Sequence, residues 1–394
     1  MKHTPCSFLL IMLSLSFGTY AQSPLKSHNL APQYNPESEV GLKCEFIEQG
    51  DSLNIYLRLS INQNKPQIDD YVFNLYTTSD YTEKLKKIAE EKIDSAYLGV
   101  ADGKYILQFN TPTSEISSLI VVQLQSKFSG FTYYFDFPSA NYPLALSNID
   151  GTIQFDPWLS PGVYNFNDST KHLTGYYYQH EFPPALPPMP IKKDVPERSL
   201  TIDSTFYSDG NENSWFTKPG LYLIQRDTSD RNGYSFRVET KHYPKLAKLE
   251  DLVKPLIYIT TKEENKMLQD VEGDKKAFDR FWLELADSPE RAKNIIKYYF
   301  DRVEQANQYF TTYKEGWKTD MGMIYIIFGP PDEVKKTVEG QSWHYLALPQ
   351  LPGLQFNFIK TETVFSTPHY VLIRERKYAN AWYKTIDLWR KGRF

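Results

Sequence analysis

The chain is poor in cysteine and carries no strong excess of charge of either sign. Only 2 of its 394 residues are cysteines, and Cys44 is the one that lies beyond the first 21 residues. Residues 1–21 are expected to be cleaved off, as argued below, which leaves Cys44 alone. A single cysteine cannot form an internal disulfide, so we do not expect the fold to depend on one. Lys and Arg number 44 against 48 Asp and Glu, for a net charge of -4. This balance argues against the basic surface that nucleic-acid binding requires.

The sequence also lacks the short motifs that usually indicate a cofactor, a metal or a nucleophile. It contains no His-x-x-x-His or Cys-x-x-Cys spacing, no Gly-x-Ser-x-Gly elbow and no glycine-rich phosphate-binding pattern. The 7 histidines are scattered along the chain. We therefore predict no cofactor and no metal site, and the sequence singles out no catalytic residue.

The N-terminal residues 1–21 have the pattern of a secretory signal peptide. A short basic start at Lys2 and His3 precedes an apolar stretch of about ten residues, which is too short to span a bilayer. Small residues near Ala21 predict cleavage before Gln22. Because no longer apolar run follows, we predict export to the periplasm or the outer cell surface, with no transmembrane segment after cleavage. The alternative is a retained membrane anchor.

Aromatic residues and prolines are abundant, which favours β-structure with many turns. The chain contains 29 Tyr, 24 Phe, 7 Trp and 25 Pro. Residues 22–39 are interpreted as a flexible leader. Alternating apolar and polar positions in residues 40–144 predict a β-sandwich of immunoglobulin-like type, with one helical interruption at 82–91. Residues 145–248 predict a second β-sandwich-like unit, with a hairpin tip at 225–233.

Consecutive aromatic residues in these β units suggest a binding surface. They occur at 133–134, at 176–178 and at Trp215 with Phe216. Neighbours on a strand point to opposite faces of a sheet, so some of these rings are expected to be exposed. Exposed rings could stack on sugars or pack against a partner strand. The competing interpretation is a sheet buried on both faces or a domain interface.

Residues 255–394 differ in character and predict an α+β domain. Ser288 followed by Pro289 is a favourable helix start, and apolar residues recur every three or four positions from Ala292 to Phe310. Residues 323–328, 343–348 and 354–359 are interpreted as strands, and 374–390 has helical spacing. The predicted fold is thus multidomain and mainly β, with two β-sandwich units followed by an α+β domain.

The most specific pattern lies at residues 316–333. Residues 316–320 read Gly-Trp-Lys-Thr-Asp, and residues 329–333 read Gly-Pro-Pro-Asp-Glu. Over about residues 255–360 the chain resembles the bacterial family named for its GWxTD motif. The resemblance implies an exported protein of the kind found mostly in Bacteroidota and Acidobacteria, and it implies no established activity. The candidate functional residues are Gly316, Trp317, Thr319, Asp320, Gly329, Pro330, Pro331, Asp332, Glu333 and, upstream, Arg302.

Turn chemistry accounts for the motif residues without any catalysis. Glycines permit close backbone approach, Trp317 favours burial, and Thr319 and Asp320 can bond to nearby backbone. The two prolines end a strand, after which Asp332 can cap a short segment that has Glu333 in its first turn. These features predict a locked corner between a helix, a loop and a strand.

A functional alternative assigns the charged residues to a site. Arg302 could pair with Asp320 or clamp a ligand carboxylate with two hydrogen bonds. A six-residue strand would hold Asp320 and Asp332 roughly 20 Å apart, too far for a glycosidase carboxylate pair at about 5 to 9.5 Å. The spacing therefore argues against a simple two-carboxylate hydrolase.

From these observations we predict a non-enzymatic interaction or assembly protein of the cell envelope. The expected partners are other envelope proteins or envelope glycans, and not nucleic acid. The alternative is a hydrolase or transferase acting on envelope glycans or peptides, with a cleft beside Trp317, Asp320 and Asp332. An open pocket at these residues would favour the enzyme, whereas a closed turn would favour the interaction protein.

Overall fold

The computed structural model describes residues 23–393 apart from 63–66, 90–96, 102, 140–142, 169–171, 190–199, 211, 271–272, 287 and 350. The expected signal peptide at residues 1–21 lies outside the described residues. The fold is mainly β, with several antiparallel sheets followed by a C-terminal region of helices and strands, as predicted.

The described residues of the first β unit form eight strands. In chain order they are β1 Val40–Gln49, β2 Ser52–Ile61, β3 Tyr71–Thr78, β4 Lys86–Ala89, β5 Tyr97–Ala101, β6 Lys104–Pro112, β7 Leu119–Ser126 and β8 Thr132–Pro138. They form two antiparallel sheets with strand orders β1-β2-β6-β5 and β4-β3-β7-β8. Ile55 and Leu57 of one sheet share a buried core with Leu75 and Val122 of the other, so the sheets pack face to face. The immunoglobulin-like detail stays a prediction.

The helix predicted at residues 82–91 is wrong over the described part of that segment. Lys86–Ala89 forms strand β4, which pairs with β3 through Tyr76 opposite Lys87 and Leu75 opposite Ala89. The helical spacing there was short, and pairing with a neighbouring strand overrides such a weak local preference. Residues 90 and 91 lie outside the described residues.

In the second β unit, the part that the structure describes contains eight further strands. They are β9 Leu146–Asn148, β10 Trp158–Leu159, β11 Gly162–Phe166, β12 Leu173–Tyr178, β13 Ser204–Ser208, β14 Asn213–Phe216, β15 Gly220–Gln225 and β16 Tyr234–Val238. A five-stranded sheet has the order β10-β16-β15-β12-β13, and a three-stranded sheet has the order β14-β11-β9. Phe166 and Phe216 of the small sheet pack with Tyr222 and Phe236 of the large one. The hairpin predicted around 225–233 connects β15 to β16.

The C-terminal region combines helices with one antiparallel sheet of order β17-β18-β19-β20. Its helices are α1 Leu249–Val253, α2 Lys262–Asp270, α3 Lys275–Ala286, α4 Pro289–Phe310, α5 Asp320–Phe328 and α6 Tyr378–Arg390. Its strands are β17 Glu333–Lys336, β18 Gly340–Tyr345, β19 Leu354–Thr361 and β20 His369–Leu372. The strands predicted at 343–348 and 354–359 overlap β18 and β19, and the predicted tail helix contains α6.

The long helix α4 forms where the sequence predicts it. Ser288 is its N-cap, with a side-chain oxygen that accepts a hydrogen bond from Arg291 N at 3.2 Å, and Pro289 occupies the first helical position. The periodic apolar positions, among them Ile295, Tyr299 and Val303, are fully buried. Their stripe therefore faces the core, as an amphipathic helix requires.

The strand predicted at residues 323–328 is wrong, because this segment belongs to helix α5. Eight of its nine residues, Asp320 to Ile327, are buried. A helix buried on all sides has no polar face, so its sequence lacks the helical period and is hard to distinguish from a buried strand. A nine-residue helix is about 13 Å long, which still separates Asp320 from Asp332.

Residues 23–39, expected as part of a flexible leader, pack against the rest of the molecule. They form short 3₁₀ helices at Leu25–Ser27 and Ala31–Tyr34. Leu25 and Leu30 are almost completely buried, in a core cluster that also contains residues of the first β unit and of the C-terminal region. None of the helices among the described residues is both long and apolar enough to cross a bilayer.

Candidate functional site

The motif at residues 316–320 forms the corner between α4 and α5. Residues Gly316–Lys318 make one turn of 3₁₀ helix, and Thr319 is the N-cap of α5. The Thr319 hydroxyl donates a hydrogen bond to Gly316 O at 2.7 Å and accepts one from Gly322 N at 2.9 Å. The threonine thus fixes the loop on one side and the start of the helix on the other.

Glycine is required at this corner because backbone segments approach closely. A Cβ atom at Gly316 would lie 2.1 Å from Ala306 O of α4, and one at Gly322 would lie 1.9 Å from Gly316 O. Both distances are far inside van der Waals contact, and both neighbours are backbone atoms that cannot rotate away. Two glycines of the pattern therefore serve packing, as the interpretation of a locked corner predicts.

Trp317 lies inside the corner and is 4% exposed. Its backbone N–H donates to Asn307 Oδ1 at 3.0 Å, and its carbonyl accepts from the Tyr258 hydroxyl at 2.9 Å. The Lys318 ammonium lies 5.5 Å from the centre of the Trp317 ring. The indole therefore packs within the protein core, where it cannot serve as a platform for a ligand.

Asp320 is buried and bound by Arg374. Its Oδ1 accepts a hydrogen bond from Arg374 Nη2 at 2.6 Å, and its Oδ2 accepts from Arg374 Nη1 at 3.1 Å and from Leu372 N at 2.7 Å. Burial raises the pKa of the Asp320 carboxyl, and the guanidinium and the Leu372 N–H oppose that shift. Arg374 also donates to the carbonyls of Leu186 and Pro187. The pair thus connects α5 to the proline-rich segment of the second β unit.

The predicted pairing of Arg302 with Asp320 is wrong. The Arg302 guanidinium lies 5.7 Å from the centre of the Tyr325 ring and against Gly329, where an added Cβ would come within 2.1 Å of Nη1. Gly329 has φ +89°, a left-handed conformation that favours glycine. Nη1 is buried and has no hydrogen-bond partner among the described residues. Burial lowers the pKa of Arg302, in line with a guanidinium removed from water.

Asp332 is exposed and does not begin a helical segment. Its backbone N–H donates to His344 O at 3.0 Å, and its Oδ2 accepts from Leu346 N at 2.8 Å. Glu333 opens strand β17 and pairs with Lys335 at 3.0 Å on the surface. The expected short capped segment is thus a strand, because pairing with β18 determines the conformation after Pro330 and Pro331.

A buried charge cluster that the sequence analysis missed lies next to the motif. Lys318 is 3% exposed and contacts Glu315 at 2.9 Å and Glu181 at 3.1 Å. Arg237 of β16 contacts Glu315 at 3.5 Å and Glu239 at 2.6 Å. Burial opposes ionisation of Glu315, but Arg237 and Lys318 together hold the pKa of its carboxyl below the ordinary value. The contacts of Lys318 with Glu181 and of Arg237 with Glu315 join residues far apart in the sequence, so no local signal could predict them.

Two pockets of the described part of the chain lie away from the motif. One is lined by residues 148–150 and 162–164 of the second β unit, and another by residues between Ile257 and Gln269. Within the described ranges, no group of three or more His, Cys, Asp or Glu side chains is placed to hold a metal ion. The motif itself is a closed corner that bonds to its own chain.

Comparison with known families identifies the C-terminal part of the chain. Residues 220–391 match the family model of the GWxTD domain. No curated protein matches the chain. The matched range begins at β15 and ends just after α6, so it includes the hairpin that carries Arg237 as well as the corner that Arg237 contacts. Residues 220–391 therefore form a GWxTD domain, and the chain is a GWxTD domain-containing protein.

Proposed function

We propose that this chain is a non-enzymatic binding protein of the bacterial cell envelope, in which the GWxTD domain is a rigid hub. The observation that carries the proposal is the use of the motif side chains in internal bonds. Asp320 is bonded to Arg374, Thr319 to the backbone of its own corner, and Lys318 to Glu315 and Glu181. Side chains committed in this way stabilise an arrangement of segments rather than a reaction.

The hub holds three segments that come from outside the GWxTD domain. Through Arg374 and Lys318 it binds residues 181–187 of the second β unit. Through Lys336 it binds Asp136 of β8 at 2.8 Å, and both side chains are less than 10% exposed. Burial opposes the charge on Lys336, but Asp136 raises the pKa of its ammonium above the ordinary value. The third segment is the N-terminal one, where Val334 N donates to Asn29 Oδ1 at 3.0 Å.

These attachments leave the outer surfaces of the β units for partners. The proposed setting is the periplasm or the cell surface, reached by means of the signal-peptide pattern at residues 1–21, in a bacterium such as a member of the Bacteroidota. The proposed partners are other envelope proteins or envelope glycans. The enzyme alternative loses its main support because Trp317 and Asp320, which were to line its cleft, are both about 4% exposed.

In-cell crosslinking tests the proposal. A tagged full-length chain is crosslinked in its native host and purified from the envelope fraction. We expect it to be recovered joined to an envelope protein or glycan, and in the same amount for the variant Asp332→Asn. Recovery as an uncrosslinked monomer with reagents of several lengths would contradict the proposal. So would turnover of an envelope polymer by the purified chain that Asp332→Asn abolishes.

A further inference from the structure

One tryptophan of this protein differs from all the others in its exposure. Trp215 is 74% exposed, whereas Trp282, Trp317, Trp343, Trp382 and Trp389 are at most 4% exposed and Trp158 is half-buried. An indole ring in water loses the large hydrophobic stabilisation that burial would give it. A ring held out on a regular strand is therefore available to bind something else.

Trp215 lies on the outer face of the three-stranded sheet β14-β11-β9. Its neighbours on β14, Ser214 and Phe216, are buried in the opposite direction, as the alternation of a strand requires. Val163 of β11 is paired directly opposite Trp215 and is only half-buried. Directly opposite residues on one face of an antiparallel pair are in contact range, so the indole and Val163 form one apolar patch.

A shallow pocket lies beside Val163, where β9 ends and β11 begins. It has a volume of about 450 Å³ and is lined by Asn148, Ile149, Asp150, Gly162, Val163 and Tyr164. Val163 therefore borders both the pocket and the indole. The strand that carries Trp215 and the strand that leads into Asn148 are separated by two strand spacings, or about 10 Å. A ligand longer than a single ring would be able to contact both.

Polar side chains lie near the apolar patch formed by Trp215 and Val163. Asn165 and Asn213 are paired opposite each other. They lie two residues along their strands from Val163 and Trp215, on the same face of the sheet. The Asn165 Oδ1 atom has no hydrogen-bond partner among the described residues but is closed to solvent, so Asn213 is the exposed amide of this pair. Asn148 lines the pocket, and Asp150 contributes a carboxylate whose Oδ1 accepts from Thr152 N. The surface thus offers amide groups and one carboxylate beside a flat aromatic ring.

We infer that this face, formed by β9, β11 and β14, binds a neutral oligosaccharide, with one sugar ring stacked on Trp215 and an adjoining ring in the pocket. The C–H groups on one face of a pyranose carry partial positive charge and match the negative face of the indole ring. Amide groups can exchange hydrogen bonds with the hydroxyls at the rim of the sugar. Asp150 would repel an anionic sugar, so an uncharged glycan fits best. The inference rests on the proposed function, because it gives that binding protein a ligand class.

The composition of the face favours a glycan over a protein partner. The apolar groups are one indole, the half-buried Val163 and the exposed Ile149, and polar side chains lie around them. A stable protein interface buries roughly 800 Å² on each partner around several apolar anchors. A single ring beside a small pocket is closer to the mostly apolar site with a few polar groups that a small ligand requires.

Tryptophan fluorescence gives a direct test on the full-length mature chain. Because Trp215 is the exposed indole, its emission should shift and lose accessibility to acrylamide when a sugar covers it. The probes are neutral oligosaccharides of glucose, of mannose and of N-acetylglucosamine, with an oligosaccharide of uronic acids as the charged comparison. We expect saturable binding of at least one neutral probe and at least tenfold weaker binding of the charged one.

Three variants separate the site from unspecific effects, with affinities measured by calorimetry. Trp215→Ala should weaken binding at least tenfold, which corresponds to about 1.4 kcal/mol. Trp215→Phe should retain most of the affinity, because it keeps an aromatic face. Phe128→Ala is the matched control, since Phe128 is 71% exposed but lies between β7 and β8 of the first β unit. It should bind the sugar like the wild type.

The outcomes distinguish this inference from the proposed function. Equal affinity of Trp215→Ala and wild type would overturn the inference, because the sugar would then bind elsewhere. Absence of binding to every probe, together with recovery of a crosslinked protein partner in cells, would overturn the glycan site and leave the binding function intact. Loss of that protein crosslink in Trp215→Ala would identify the face as a protein-docking surface instead. Absence of both sugar binding and crosslinking would contradict both proposals.

Discussion

The substitution Asp320→Asn tests whether the motif is structural. Asparagine has the shape of aspartate but no charge, and its amide group would place N–H donors where Arg374 presents its own. One accepted bond, from Leu372 N, can survive in the variant, whereas the two charge-assisted bonds from Arg374 are lost or weakened. The Arg374 side chain is 7% exposed, so its charge would remain buried without its counterion.

The expected loss of stability follows from this geometry. Removing one partner of a buried ion pair lowers the free energy of unfolding by about 3 to 5 kcal/mol. Because the bond from Leu372 N survives, we expect Asp320→Asn to lie near the lower end of this range, at about 3 kcal/mol. For a unit the size of the GWxTD domain, 1 kcal/mol lowers Tm by about 2 to 4 °C, so we expect a fall of about 6 to 12 °C. Burial of both side chains means that salt should change this value little.

Calorimetric melting at pH 7 measures the effect. Asp332→Asn is the matched control, because Asp332 is exposed and accepts a single backbone bond, so its Tm should change by less than about 2 °C. A cycle with Arg374→Met should show a coupling free energy of about 1 to 3 kcal/mol between the two sites. An Asp320→Asn protein that melts at or above the wild-type temperature would refute the reasoning. The carboxylate would then be kept at a cost in stability, and the GWxTD domain would be the place to search for ligands.

Further substitutions test other parts of the structure. In urea unfolding, Gly322→Ala should destabilise the protein strongly, although alanine is the better helix former by about 1 kcal/mol. Gly41→Ala is the control and should be nearly neutral, because its added Cβ would have its nearest neighbour atom 3.9 Å away. Asp136→Asn should cost about 3 kcal/mol in the same assay, because it leaves Lys336 buried without a counterion. Burial lowers the pKa of His369 from the ordinary 6.5 to about 3. Between these two pH values the unfolded chain binds a proton that the folded chain does not. The free energy of unfolding should therefore fall as the pH drops from about 6.5 towards 3. By pH 5 this loss is about 2 kcal/mol, and His369→Gln should remove it from the pH profile of unfolding.

Sequence patterns predicted the elements whose exposed and buried positions alternate. The helix α4 has a cap at Ser288, a proline at its first position and an apolar stripe, so three independent signals agree. Helix α5 has a good cap in Thr319 but no polar face, and it was misinterpreted as a strand. The short strand β4 was misinterpreted as a helix because its conformation depends on pairing with β3. In both cases tertiary surroundings, which a local pattern does not contain, decide the structure.

The closed corner was predicted from the residue types of the motif, but its partners were not. Thr319 and the glycines act within a few residues, so their roles follow from turn chemistry. The carboxylate of Asp320 binds Arg374, which lies 54 residues further along the chain, and Arg302 was chosen wrongly in its place. Any of the chain's many arginines has the right chemistry for a buried aspartate, and only the fold brings one of them to it.

The packing of residues 23–34 has a consequence for how the protein reaches its folded state. Asn29 bonds to Val334, which lies 305 residues later in the sequence, so this N-terminal segment cannot find its partner until synthesis of the chain is almost complete. Contacts of such long range form slowly. In the meantime Leu25 and Leu30 remain exposed as apolar side chains that can associate with other molecules. We therefore expect holding chaperones to bind the N-terminal segment until the GWxTD domain is available to bury it.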